Sequence, residues 1–374
     1  MSNSNEPPEK QTTHSPQLSL SSLPDDIILK CLVGVPRMYH LNVSWVSKHL
    51  RSLVRSPVLT VLRSTLLPKS SLHVCFEENN KHTTYHWFTL NETEYGFVLN
   101  PTPFPSHPSH GSSTVAVGSS KIFFICGPRG KPSTDLWILD TRSRNMIKGP
   151  SMSVPRVAHE AAVGVIDGKI HVMGGRGFNE ETQVEVFDPN LETNWELAGV
   201  EKVRKSSFFS QTSVSVEGKV YMVEYEETSV YNPRKGEGEP RMVRFVSEMI
   251  TEGGRKNKFT GMAHSVCVVE DVLFAFFKEK GLMWFDTKLN VWRRLLVRDG
   301  KQLVISSVKG MSEYDGRLVV FNYRTPTKAL WDVQCILVSL DRVGEKICGT
   351  IDWSGVVATV PFLFSFQHCL AVPK

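Results

Sequence analysis

The hydrophobic pattern changes twice along the chain. Residues 1–16 show no periodicity and place Pro7, Pro8 and Pro16 among polar residues, which predicts a disordered tail. From residue 17 to residue 63 apolar positions recur at helical spacing. Ile27, Ile28, Cys31 and Leu32 predict a first helix. Pro24 suits its first position, Asp25 and Asp26 suit the positive end of its dipole, and Gly34 suits its stop. A second helix is expected from about Leu41 to Val54, with Trp45, Val46, Leu50, Leu53 and Val54 on one broad face. Ser56-Pro57 reads as a cap and first-turn proline opening a third short helix through Arg63. From residue 66 to residue 374 the texture is different: short β-branched and aromatic runs separated by turn signals, the mark of strands.

The strand-forming part repeats. A polar-glycine turn enters an apolar strand at Gly118-Ser119-Ser120-Lys121, Asp167-Gly168-Lys169 and Glu217-Gly218-Lys219, with later copies at Glu270-Asp271-Val272 and Asp315-Gly316-Arg317. The residues after each turn (121, 169, 219, 272 and 317) are spaced by 48, 50, 53 and 45. Each copy is followed by a strand that ends in an Asp or Asn turn: Leu139-Asp140, Phe187-Asp188, Tyr231-Asn232, Phe285-Asp286 and Leu340-Asp341. In two copies a tryptophan comes soon after, Trp195 and Trp292. A unit at Leu72–Leu90 supplies a sixth copy without an outer strand, and an apolar run from Phe362 to Val372 is left over to pair with it and close a ring.

Two resemblances follow from these residues. Leu23-Pro24-Asp25-Asp26-Ile27-Ile28, Leu32 and Val46-Ser47-Lys48-His49-Leu50-Arg51-Ser52-Leu53 resemble the F-box over about residues 17–63, although many F-boxes carry Trp where Leu50 stands. The paired marks at a period near 50 resemble the kelch repeat. The clearest copy runs from Arg156 to Trp195 and holds the doublet Gly174-Gly175; the others are degenerate. Together they imply a small all-α F-box of three short helices over 17–63, followed over 66–374 by an all-β six-bladed kelch propeller closed by the C-terminal strand. The F-box implies binding to the Skp-type adaptor of an SCF ubiquitin ligase and, through it, to cullin. Leu23, Pro24, Ile27, Ile28, Leu32, Val46 and Leu50 are expected to form most of the adaptor contact. The propeller is expected to hold an unidentified target protein.

Charge and composition sharpen this picture. The net charge of +5 is too small to point to nucleic acid. Between Ile27 and Ser70, however, seven Lys/Arg stand with no Asp or Glu, a one-signed block suited to an acidic partner. No apolar run approaches the 18 residues of a membrane helix; the longest, Val272–Phe277, spans six. Residues 1–19 carry no secretory apolar region, and the seven cysteines form no C-x-x-C pair. A cytoplasmic or nuclear protein, away from membranes and without disulfides, is expected.

Candidate chemistry is sparse. Gly127-Pro128-Arg129-Gly130-Lys131-Pro132 imitates a phosphate loop but has Pro132 where Ser or Thr belongs, and neither G-x-S-x-G nor H-E-x-x-H occurs. His82 with His86, and His107 with His110, read as loop histidines rather than metal ligands. No cofactor, metal or catalytic residue is expected. The target surface is placed instead on basic loops at one face of the propeller: Arg129, Arg176 and Arg324 after second strands, and Arg156, Arg204 and Lys205 between blades. Converging arginines suit an acidic or phosphorylated patch. A kelch-propeller enzyme with a central-channel site and a structural kelch scaffold are the alternatives; neither explains residues 17–63.

Overall fold

The structure is a computed structural model of the 374-residue chain. It describes residues 22–35, 39–66, 70–78, 84–106, 113–127, 131–176, 182–191, 194–203, 213–233, 242–251, 254–325 and 329–373. The chain divides into two compact units, Met1–Val35 with Val43–Leu67, and Pro36–Asn42 with Pro68–Lys374. The expected tail over 1–16 lies outside the described residues.

Among the described residues the α-helices are α1 (Asp25–Val33), α2 (His40–Val46), α3 (Lys48–Val54) and α4 (Pro57–Leu66), one more than expected; all lie in the first unit except residues 40–42 at the start of α2. The extra break falls at Ser47. Its backbone is extended and its Oγ accepts from the Leu50 N–H at 3.0 Å, so it caps α3 and splits the single helix expected over 41–54. Pro24 stands as the cap of α1 rather than inside it, and its carbonyl accepts from the Ile27 and Ile28 N–H groups at 3.0 Å. Ile28, Leu29, Leu32, Val33, Leu50, Leu53 and Leu59 form the core of this unit. Arg63 closes the other end of α1, its Nη1 donating to the carbonyls of Val33 at 2.8 Å and Val35 at 2.6 Å.

The second unit contains six blades, antiparallel except for one parallel pair in blade 5. Their inner strands are Phe364–Pro373 in blade 1, Ser113–Val117 in blade 2, Ala161–Ile166 in blade 3, Ser213–Val216 in blade 4, Ala263–Val269 in blade 5 and Gly310–Tyr314 in blade 6. Each inner strand packs beside the next, and Phe364–Pro373 touches those of blades 6 and 2, so the ring closes. That last strand pairs with Ser70–Glu78, from Ser70 opposite Pro373 to Glu78 opposite Phe364. Blade 1 also has an outer strand, Gly96–Thr102, paired with Thr84–Thr93. The expectation for this blade is corrected: the Leu72 unit lacks an inner strand, not an outer one. Its sequence copy continues past Leu90 through the tight turn at Gly96 (φ +126°) into Phe97-Val98-Leu99.

The repeat marks have a conformational cause. At Asp167-Gly168, Glu217-Gly218, Glu270-Asp271 and Asp315-Gly316 both residues have positive φ, the two-residue hairpin whose twist matches the flanking strands. These turns join inner to second strands. The Asp marks are side-chain turns after third strands. Asp140 Oδ1 accepts from the Arg142 N–H at 2.8 Å, Asp188 Oδ1 from Asn190 at 3.0 Å and Asp286 Oδ1 from Lys288 at 3.1 Å. Trp292 is fully buried between Phe277 and Phe285 and donates from Nε1 to Thr228 Oγ1 at 3.2 Å, tying blade 5 to blade 4. Blade 5 is widened to six strands by Glu248–Ile250 and Lys256–Lys258, the former running parallel to Val291–Arg294 with Met249 opposite Trp292.

Inner strands approach closely. A Cβ on Gly164 would lie 2.4 Å from Val220 Cγ2, so only glycine lets blades 3 and 4 meet there. Ser213 and Ser215 accept from the Val163 and Val165 N–H groups at 2.9 and 2.7 Å, joining the same two blades.

Candidate functional site

In the helical unit, burial separates the expected adaptor residues into two sets. Ile28, Leu32 and Leu50 are buried in the unit's own core, which corrects their assignment as a contact surface: the helical periodicity that singled them out reports packing. Leu23 packs partly against that core. Pro24 is exposed, Ile27 is 38% exposed and Val46 is 74% exposed. Trp45, which sequence reasoning left out of the contact set, is also 74% exposed. The signal that finds it is the capping serine: Ser47 ends α2 at Val46, so Trp45 and Val46 do not continue the buried face of Leu50 and Leu53. Val58 and Val61 on α4 are exposed as well.

The one-signed charge block is only partly a free surface. Arg63 holds the carbonyls at the end of α1, and Arg51 Nε donates to the Ser44 carbonyl at 3.1 Å. Lys30, Lys48 and Arg55 are exposed, while Arg37 and Lys69 lie outside the described residues. His49 faces Asp25 at 2.9 Å on the surface, linking α3 to the start of α1.

In the propeller, a cavity of about 670 Å³ lies along the axis and is lined by all six inner strands. Thr114, Ser215, His264, Lys309, Glu313 and His368 bring its polar groups. His368 Nδ1 lies 3.1 Å from Thr114 Oγ1, and burial lowers its pKa to about 4, so the ring is neutral near pH 7. Burial pushes the Cys267 and Cys369 thiols well up, keeping them protonated rather than nucleophilic. Lys309 Nζ sits 5.7 Å from the Tyr323 ring centre. These groups supply hydrogen bonds and shape to the axial cavity. Among the described residues no cluster of three or more His, Cys, Asp or Glu could hold a metal ion. His86, one of the loop histidines, bonds Glu78 at 2.8 Å and stacks on Phe364; His82, His107 and His110 lie outside the described residues.

The basic target residues fare unequally. Arg156 is fully buried, and its placement on a recognition face is corrected. Its guanidinium donates to Glu185 Oε2 from Nη2 at 2.7 Å and from Nε at 3.1 Å, and to the carbonyls of Gly174 and Gln183. Glu185 Oε1 accepts from the N–H and hydroxyl of Ser153, both at 2.6 Å. Every arm of the arginine is thus spent on blade 3. The glycine doublet belongs to the same device: Gly175 has φ +85°, and a Cβ there would meet Ala161 Cβ at 2.8 Å and Arg156 Cβ at 3.1 Å. Glu185 was legible as an acid flanked by Val184 and Val186 in a third strand, a position that asks for a buried cation. Arg176 and Arg324 are exposed; Arg129, Arg204 and Lys205 lie outside the described residues.

A capped helical unit with exposed apolar side chains, joined to a six-bladed kelch-type ring, defines the class: an F-box carrying a kelch propeller. Comparison with known proteins agrees over almost the whole chain. The F-box domain family matches residues 20–62, and the FKB95, Kelch-repeats domain family matches residues 73–358. The Arabidopsis thaliana F-box/kelch-repeat protein At2g44630 is 37% identical, over 100% of both chains. A second Arabidopsis thaliana relative named as F-box/kelch-repeat, At2g41360, is 41% identical over 94% of this chain and 96% of its own. The chain belongs to the F-box/kelch-repeat family.

Proposed function

We propose that this protein is the substrate-recognition subunit of an SCF-type ubiquitin ligase, itself without bond chemistry. It captures the Skp-type adaptor with the F-box, joins cullin through it, and holds a target protein on the propeller for ubiquitination and degradation. The pairing of the two domains supports a receptor-type role. The observation that carries the finer reading is the exposure of Trp45 and Val46, each 74%, beside a well-filled core in so small a unit. Large apolar side chains left in water on a small domain mark a protein contact. Pro24, Ile27, Trp45 and Val46 are its anchors, and Lys30, Lys48 and Arg55 steer an acidic partner. Catalysis is by proximity: a bound target beside a ubiquitin-charged enzyme experiences a raised effective concentration.

Co-purification tests this. The full-length protein should retain a Skp-type adaptor, and Leu23→Ala with Pro24→Ala should release it while the propeller stays folded. Retention of the adaptor by that double variant sinks the reading. For the target face, reversal of Arg176 and Arg324 to glutamate should leave the adaptor bound and stabilise the target in cells. Arg156 is unsuited to that experiment, because it is buried.

A further inference from the structure

A second cavity, of about 770 Å³, lies away from the axis where blade 5 meets blade 6. Its walls are the outer strand of blade 5 (Val291–Arg294), the segment after Glu248–Ile250, the turn at 296–300 and the start of the outer strand of blade 6 (Lys346–Pro361). The frame is tied by backbone bonds. Leu296 bridges Cys348, the Gly349 N–H donates to the Leu296 carbonyl at 2.8 Å, and Val297 pairs with Lys301 at 2.9 Å. Thr251 and Gly254 also line the cavity, and the Thr251 N–H bonds the Arg255 carbonyl at 3.0 Å.

Two properties set this cavity apart from the axial one. Apolar side chains packed beneath it, Met249, Trp284 and Ile347, are 7%, 3% and 1% exposed. Among the described residues its charged lining is of one sign: Arg293, Arg294, Arg298 and Lys346. Arg293 is balanced by Asp286 at 3.0 Å and lies over the Trp284 ring at 5.6 Å, and Arg298 is balanced by Asp341 at 2.6 Å. Arg294 and Lys346 have neither an ion pair nor a side-chain hydrogen bond among the described residues, and the Arg294 Nε–H is buried without an acceptor. Cys348 adds no negative charge, since burial holds its thiol above the ordinary range.

A buried guanidinium N–H without an acceptor is costly to leave unmade, and an anion is the partner that satisfies it. An apolar floor under a fork of cations selects an amphipathic ligand, with a carboxylate or phosphate head and a flat apolar body. The volume lies in the range of small-molecule sites. We propose that the blade 5–blade 6 cavity is a binding site for a small aromatic or aliphatic organic anion, held by Arg294 and Lys346 over Trp284. This site stands independently of the adaptor and target reading.

The test uses three probes of one shape, 2-naphthoate, 2-naphthyl phosphate and neutral 2-naphthalenemethanol, titrated into the full-length protein by calorimetry at 100 mM salt. Both anions should bind, at least about tenfold more tightly than the alcohol; whichever of the two binds more tightly identifies the head group. Arg294→Gln and Lys346→Gln should each weaken the anions about tenfold with unchanged melting temperature, Arg294→Lys should weaken them less, and Arg144→Gln, at a turn in blade 2, should change nothing. Equal affinity for the alcohol, undiminished binding by Arg294→Gln and Lys346→Gln, or absence of binding by all three probes overturns the proposal. A pentaglutamate peptide binding more tightly than either naphthyl anion also overturns it, assigning the cavity to an acidic protein segment.

Discussion

Arg156 and Glu185 form a fully buried ion pair, Nη2 to Oε2 at 2.7 Å, with further hydrogen bonds from Arg156 to the Gly174 and Gln183 carbonyls and from Ser153 to Glu185. Burying two charges is expensive, so the pair contributes little net stability as such. Its effect is to fix one arrangement: the chain entering blade 3, the end of the second strand and the third strand must all be in place before either charge is satisfied.

Removing one partner therefore costs far more than the pair is worth. Glu185→Ala should destabilise the propeller by about 3–5 kcal/mol, since it strands a buried guanidinium. Arg156→Lys should cost less but remain measurable, because an ammonium cannot span Glu185 and the two carbonyls at once. Urea unfolding checks both through the midpoint, provided the slope is unchanged. A Glu185→Ala midpoint equal to that of the wild type refutes this account.

Ring closure makes a second prediction. The strand Phe364–Pro373 supplies the inner strand of blade 1, with Val372 and His368 buried. Deleting residues 362–374 exposes the edge of Ser70–Glu78 and opens the contact with Gly310, whose position lets Phe366 lie against the blade 6 backbone. The truncated protein should melt well below the full-length chain and aggregate through the bare edge. Coincident melting curves would show that the ring does not depend on this strand.

What could be read from the sequence followed from local conformation. The Asp-Gly and Glu-Gly hairpins and the Asp turns need particular residues at particular backbone angles, so five blades were visible at a period near 50. Blade 1 was half visible, because its inner strand comes from the other end of the chain and the pairing of His73 with Leu370 leaves no local trace. The helix break at Ser47 was missed because a serine inside an apolar periodicity looks like a polar face until its hydroxyl is seen to cap. Arg156 was misplaced for a related reason: a charged residue reads as surface unless its counter-charge, here 29 residues away at Glu185, is recognised with it.

Two histidines set the acid side of the stability profile. Burial lowers His171 and His368 to about 4; at His171 the Lys169 charge adds to the effect and Asp167 opposes it. Because both folded values lie below the ordinary 6.5, the unfolded chain takes up these protons first. The stability is therefore complete above about pH 6.5 and is lost as pH falls towards 4. The carboxylates of Asp135, lowered chiefly by its bond from Lys148, and Asp140, lowered chiefly by the Arg142 N–H, contribute only further down, as pH drops through the carboxylate range. Between pH 6.5 and 5 the slope should thus belong to the histidines, and His368→Gln, which keeps a polar partner for Thr114, should flatten it. Thermal melts across that window decide the matter; an unchanged slope in His368→Gln removes His368 as a contributor.

The division of the F-box apolar residues gives the last prediction, in which contact and core are separated by measurement. Trp45 and Val46 are mostly exposed, so replacing both with alanine removes contact area without opening a cavity; adaptor capture should fall by at least a hundredfold while the helical unit keeps its circular dichroism and melting temperature. Ile28 is fully buried among Leu29, Leu32 and Leu50, so Ile28→Ala should cost about 2–5 kcal/mol in a unit with few other apolar contacts. Loss of adaptor binding in Ile28→Ala should then track unfolding, and be recovered at low temperature or by a stabilising osmolyte, whereas the Trp45/Val46 loss should not be recovered. Should the Trp45/Val46 double variant bind the adaptor like the wild type, the exposed end of α2 is not the contact, and the anchors must be sought among Val58 and Val61 on α4.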